Sequence, residues 1–266
     1  MSDKASYWDF SPAMERFDRI KVPSAYEMVA EAIEAEIVSG RLRPGDEIGT
    51  EAALVRQFGV NRSTVREGIR VLEQGGLVRR EASRKLFVCE PRAGGLSTRI
   101  SRALVLQDVT FRELFDTAMV LEVGSVEGAV VHADADMLAA LEDNQERLEA
   151  AVNNPVVVAE LDSEFHALLA RACGNRVLEM AREPAALLFF PSTEMICRRV
   201  PEGAGRMAQA HRFIIDAVRA RDLELSRTWM RRHLVDWRKG FVRAGREIDE
   251  PVERIFARYA LSKSQS

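Results

Sequence analysis

Residues 51–76 read Glu51-Ala52-Ala53-Leu54-Val55-Arg56-Gln57-Phe58-Gly59-Val60-Asn61-Arg62-Ser63-Thr64-Val65-Arg66-Glu67-Gly68-Ile69-Arg70-Val71-Leu72-Glu73-Gln74-Gly75-Gly76. Glu51 to Phe58 has the pattern of a short helix that Gly59 stops. Asn61 stands at the N-cap position of a second helix. Along that helix Arg62, Arg66 and Arg70 recur at i, i+4 and i+8 as one basic stripe, while Val65, Ile69 and Leu72 line the opposite face. Helix, glycine-bearing turn and basic helix are the parts that set a reading helix into a DNA groove.

The flanking sequence extends this reading. Leu77 to Arg80 and Leu86 to Cys89 read as two short strands around the loop Glu81 to Lys85, a β-hairpin wing. Upstream, Ser24 and Glu27 form a capping box that opens a helix carrying Val29, Ile33, Ile37 and Val38, with Gly40 as its stop. Arg43 to Asp46 is a turn, and residues 1–20 read as a loosely ordered arm. Charge is segregated along the segment. Residues 21–51 hold three cations against seven acids, whereas residues 56–92 hold nine cations against four acids. The whole chain carries a formal net charge of −3, so attraction to a polyanion has to be confined to one face.

The basic stripe alone fits a solvated amphipathic face better; the glycine turn and the wing shift the balance to DNA. Arg62, in the first helical turn, suits guanine O6/N7, and Arg66 suits a base or a phosphate. Ser63 and Thr64, with the capping Asn61, offer short polar groups and main-chain N–H donors to phosphate. Arg84 and Lys85 at the wing suit the minor groove.

At 266 residues the chain suits two domains. Cys89, Cys173 and Cys197 are odd in number and widely spaced, the pattern of free thiols in a reducing cytosol. The N-terminus has no signal-peptide pattern and no stretch suits a membrane span, so a cytoplasmic protein without a membrane partner is expected. Pro91 to Gly95 marks a domain boundary. Beyond it helices are predicted from the Thr110–Glu113 capping box to about Val131 and from Asp134 or Asp136 to about Val152. Others follow over about 156–172, 176–197, 205–220 and 222–245, with a short last one from Val252 to Tyr259. The expected fold is mainly α, an N-terminal winged helix-turn-helix plus a C-terminal all-α helical bundle. Its parts are an arm (1–20), the DNA-binding domain (21–92), a linker and connecting helix (93–108), and an all-α domain (109–262).

Three of the four histidines stand out. Asp162 and His166 are i, i+4 on one predicted helix, His211 opens another and His233 lies in a third. One carboxylate and three imidazoles from three helices make a candidate octahedral N/O site for Zn, Ni, Mn or Fe, zinc foremost in the protein as isolated. Taken singly, each histidine is better explained as a satisfied core or surface residue. His132, Asp134 and Asp136 read as helix-end residues. There is no HExxH and no nucleophile elbow, and helix geometry turns Glu164 away from Asp162 and His166. A metal-dependent hydrolase or lyase fused to a DNA anchor is therefore the weaker alternative, and no catalytic residue is assigned.

The run PGDEIGTEAALVRQFGVNRSTVREGIRVLEQGGLV resembles the winged helix-turn-helix of GntR-type bacterial transcription regulators, over residues 24–90. It departs from them at Gly49, where the family usually has proline, at Ala52, often a DNA-contacting arginine, and in a wing without a glycine tip. Residues 95–245 resemble the ligand-binding domain of the FadR subfamily, with Asp162-x-x-x-His166 followed by Leu-Leu-Ala-Arg-Ala-Cys-Gly-Asn, then His211 and His233. The resemblance implies a metal at these four residues, a homodimer, an operator in double-stranded DNA and a small organic or sugar acid as effector. Repression relieved by the effector is the commoner mode, and a regulator for which the metal itself is the signal is the alternative. Many members have an effector-facing arginine in Glu-Leu-x-x-x-Arg-x-x-Leu-Glu. Here Ala118 and Met119 stand around that place, so a carboxylate effector leans on the metal and on another cation such as Arg171 or Arg198; the alternative is a less acidic effector.

Overall fold

The computed structural model describes residues 23–81, 84–89 and 93–252. The arm expected over 1–20 lies outside these residues, as does the expected last helix beyond Val252. Two compact units divide between Arg92 and Ala93.

The first unit runs α1 (Ala25–Val38), β1 (Glu47–Thr50), α2 (Glu51–Phe58), α3 (Arg62–Gly75), β2 (Val78–Arg80) and β3 (Lys85–Val88). The Ser24–Glu27 capping box is present. Gly59 ends α2 in the left-handed conformation at φ 66°, which a residue without Cβ adopts freely. Val65, Ile69 and Leu72 on α3 pack with Val29 and Ile33 of α1, Leu54 of α2, and Val78 and Leu86 of the strands. The sheet has the order β1-β3-β2, both pairs antiparallel.

Strand β1 was not expected. Its sequence, Glu-Ile-Gly-Thr, is too short and too mixed to show alternation, and only pairing with β3 makes it a strand. The pairing shifts register between Glu47 and Gly49, and Gly49 has φ 110°. Proline, locked near −65°, cannot adopt that backbone. Lys85 begins β3 rather than sitting in the loop, and Arg84 occupies the positive-φ position (62°) of the wing turn.

The second unit is all helical: α4 (Ala93–Leu106), α5 (Phe111–His132), α6 (Ala135–Ala150), α7 (Pro155–Ala172), α8 (Arg176–Arg199), α9 (Glu202–Arg219) and α10 (Leu223–Arg243). Helix α4 runs through Gly94 and Gly95, so the glycine pair expected to be a flexible boundary is helical. Helix α8 continues through Pro184 and Pro191. The central helix α5 packs on α7, α8 and α10, and one core gathers Phe115, Val126, Phe165, Leu169, Ile214, Ile215 and Met230. No described helix is long and apolar enough to cross a membrane.

The passage of α5 beside the end of α7 depends on Gly128, where an added Cβ would meet the Cys173 carbonyl oxygen at 2.6 Å and the Cys173 Cβ at 2.7 Å. Gly128→Val is expected to cost about 1–3 kcal/mol through overpacking. It should lower the urea midpoint of the helical signal in circular dichroism; an unchanged midpoint would mean the crossing is not tight.

Candidate functional site

On the first unit, the Asn61 side chain caps α3 by accepting from the Thr64 amide (2.8 Å), the Ser63 hydroxyl (2.7 Å) and the Thr64 hydroxyl (2.8 Å). These three residues form one polar knot at the helix N-terminus. Arg62 and Arg66 follow with side chains 71% and 70% exposed, and both lean toward Glu51, at 3.7 and 4.0 Å. Glu51 is buried at the start of α2 and accepts from Arg80 Nη1 at 2.8 Å. One sunken carboxylate thus gathers three arginines from α3 and β2. Neither Glu51 nor Arg80 was singled out from sequence, because their meeting depends on how the wing folds back. Arg70 is taken up by Glu67 of its own helix, and Lys85 Nζ by Glu47 at 2.7 Å. Arg84 is exposed in the turn.

In the second unit, α7 contributes Asp162 and His166, α9 contributes His211 and α10 contributes His233. One ligand atom from each lies within 4.8 Å of all the others, close to the roughly 4.2 Å span of a first-row metal shell. Asp162 Oδ1 is 3.3 Å from His211 Nε2, 3.7 Å from His233 Nε2 and 3.8 Å from His166 Nε2. His211 is wholly buried, stacked on Phe165 with ring centroids 3.7 Å apart. Both of its ring nitrogens and Asp162 Oδ1 lack a hydrogen-bond partner. Buried polar atoms are seldom left so, and a cation among them would satisfy Oδ1 and one nitrogen of each ring.

The sequence did not reveal the layer behind these ligands. Glu122, on α5, is buried; its Oε2 accepts from His166 Nδ1 at 2.9 Å and its Oε1 from Arg182 Nε at 3.0 Å. By accepting from Nδ1, Glu122 turns Nε2 toward the cluster, and although burial acts to lower the His166 imidazole, the Glu122 charge raises it above its ordinary value. Burial acts to raise the Glu122 carboxyl, yet the charges of His166 and Arg182 override it and bring it to about 2. Burial likewise opposes charge on Asp162, and the surrounding histidines, His211 closest, override it to about 2. Burial pushes His211 down, and His233 well down with help from the neighbouring rings, so both keep a free lone pair at neutral pH.

A cavity opens beside the cluster, bounded by Ala118, Glu122, Asp162, His166, Arg182 and His233, with Phe115, Phe189, Phe190 and Trp237 among its other walls. Ala118 does line it, whereas Met119 packs into the core. The substitute cations expected from sequence are not there: Arg171 is exposed without lining this cavity, and Arg198 is exposed and paired with Glu194. The cation at the wall is Arg182. His132 stands apart at the end of α5, and Asp134 caps α6 by accepting from the Met137 amide.

Comparison with known proteins agrees with both halves. The model of the gntR family of bacterial regulatory proteins matches residues 25–88, and that of the FCD domain matches residues 113–236. The chain belongs to the GntR family. It is a ligand-responsive transcription regulator and not an enzyme, with a gntR-type DNA-binding unit and an FCD domain. It is similar to the Glc operon transcriptional activator of Escherichia coli K12, 29% identical over 171 residues that cover 62% of this chain and 67% of the relative. It is also similar to the HTH-type transcriptional repressor NanR of Salmonella schwarzengrund, 26% identical over 213 residues, 78% of this chain and 81% of that one. Among solved structures, Streptococcus agalactiae GntR shares the fold with a TM-score of 0.58 at 23% identity, covering 80% of this chain and 99% of that one.

Removing Arg182 would leave two buried carboxylates without the cation that balances one of them. Arg182→Met is expected to destabilise the helical unit by about 3–5 kcal/mol, read as a lower denaturation midpoint; wild-type stability would show that the pair is not closed to water.

Proposed function

We propose that this GntR-family regulator works as a homodimeric repressor. A divalent metal and a small organic or sugar acid, held together in the FCD domain, would set its affinity for an operator. The observation that carries this reading is the buried knot of Asp162, His166, His211 and His233, in which Asp162 Oδ1 and both His211 ring nitrogens have no hydrogen-bond partner among the described residues and His166 Nε2 meets only His233 Nε2, at 3.1 Å. Three imidazoles and one carboxylate suit Zn, Ni, Mn or Fe, with zinc foremost in isolated protein. Bound there, the ion supplies a Lewis acid to which a carboxylate oxygen can attach.

The chain's own groups do the rest. Glu122 fixes the tautomer of His166, and Arg182 balances Glu122. Helix α8 carries Arg182 and two of the cavity's aromatic residues, Phe189 and Phe190, and its Pro184 carbonyl lies 2.8 Å from the Ser101 hydroxyl of α4. A ligand that shifts α8 would therefore move α4, the helix that directly follows the DNA-binding unit in the chain. In that unit Arg62 reads guanine, Arg66 a base or phosphate, and the α3 N-terminus with Asn61, Ser63 and Thr64 receives phosphate. Arg84 and Lys85 approach the minor groove. Two such units in a dimer would read two half-sites, whose spacing the effector alters.

His166→Ala and His233→Ala are expected to lose metal in elemental analysis of protein purified without chelator, while remaining dimeric in sedimentation. Unchanged metal content would remove the site. DNA affinity that tracks metal occupancy with no acid present would make the metal itself the signal. At the DNA face, Arg62→Ala should reduce discrimination between operator and mismatched operator by about 1–3 kcal/mol; discrimination equal to wild type would exclude Arg62 as a base reader.

A further inference from the structure

We infer that the effector cavity is built for a monocarboxylate with an apolar body, and against dicarboxylates and polyhydroxy acids. This narrows the effector class of the preceding reading and rests on it. Three observations carry the inference, and the first is a charge count. Among the described residues, the charged side chains lining the cavity, histidines aside, are Asp162, Glu122 and Arg182, each nine-tenths or more buried. With a divalent ion and the neutral imidazoles that ligation requires, the site carries one surplus positive charge. One carboxylate cancels it. A second would stand unpaired where water is scarce, which is costly.

The second observation is that, among the described residues, no further cation lines the walls. Arg238 contacts the Phe115 ring, with its guanidinium carbon 4.9 Å from the centroid, but does not line the cavity. The third is the chemistry of the walls. Away from the charged end they are Phe115, Leu121, Phe189, Phe190, Leu234 and Trp237, interspersed with alanines. The other polar side chains there are the hydroxyls of Ser163 and Thr193 and the Trp237 indole. Thr193 Oγ1 already accepts from Trp237 Nε1 at 3.3 Å. An acid with a hydroxyl on every carbon would bury most of them without partners, whereas an alkyl or aryl body gains from the aromatic wall.

The test is calorimetric titration of the full-length, metal-loaded protein with hexanoate, adipate and gluconate, which share a six-carbon chain, and with benzoate as a rigid apolar acid. Hexanoate or benzoate is expected to bind at least about tenfold more tightly than adipate and gluconate. Equal or tighter binding of adipate or gluconate overturns the inference, as does failure of both hexanoate and benzoate to bind at millimolar concentration. Ala118 lines the cavity one helical turn from Glu122, so Ala118→Arg adds a second cation there and should shift the preference toward adipate by about tenfold. An unshifted preference in the folded variant overturns the charge argument; the ranking on the unsubstituted protein decides the matter should the variant not fold. Elemental analysis of the same wild-type sample tests the metal reading separately. Metal present with the wrong ranking defeats only the effector class, whereas metal absent after loading defeats the site itself.

Discussion

Glu122 receives the His166 imidazole on one carboxylate oxygen and the Arg182 guanidinium on the other, with all three side chains nearly shut off from water. That bond pair ties α5 to α7 and α8 at the point where the histidine cluster meets the cavity. A carboxylate in such a place is tolerated only with its charge matched and its lone pairs filled. The requirement explains why the residues around it are so constrained. His166 must present Nδ1 to Glu122 and therefore Nε2 to Asp162 and His233. Arg182 must remain at the wall, and α8 with it. The orientation of His166 and the place of Arg182 at the cavity wall follow from one buried acid.

The DNA-facing unit uses a related device nearer the surface. Glu51, sunk at the head of α2, gathers Arg62 and Arg66 of α3 and Arg80 of β2 around a single carboxylate. The long arginine side chains are thereby held over one spot instead of spreading through solvent, which limits the side-chain entropy lost on meeting a groove. In both units a buried acid positions the groups around it.

Much of this architecture was legible in the residue order. The caps at Ser24, Asn61, Thr110 and Asp134, the stop at Gly59 and the apolar face of α3 are local features, each acting within a few residues, and they appear where the spacing puts them. Asp162 and His166 were also legible as a pair because an α-helix sets i and i+4 on one side. Strand β1 was not, since its four residues become a strand only by pairing with β3, some forty positions away in the chain. The helical course of Gly94 and Gly95 and the passage of α8 through two prolines likewise run against local propensity, and packing against neighbouring helices overrides it.

By itself, then, the order of residues determined the two-part plan, the basic reading helix and four residues with metal-ligand chemistry, because those depend on helical periodicity and on side-chain type. Only the tertiary structure decided what stands behind them. It chose Arg182 over Arg171 and Arg198 as the cation at the cavity, brought Glu122 to His166 and set Glu51 beneath three arginines. Each of these meetings joins separate elements of the chain, and a contact of that kind is set by how whole helices and strands pack, not by any spacing that can be read along the sequence.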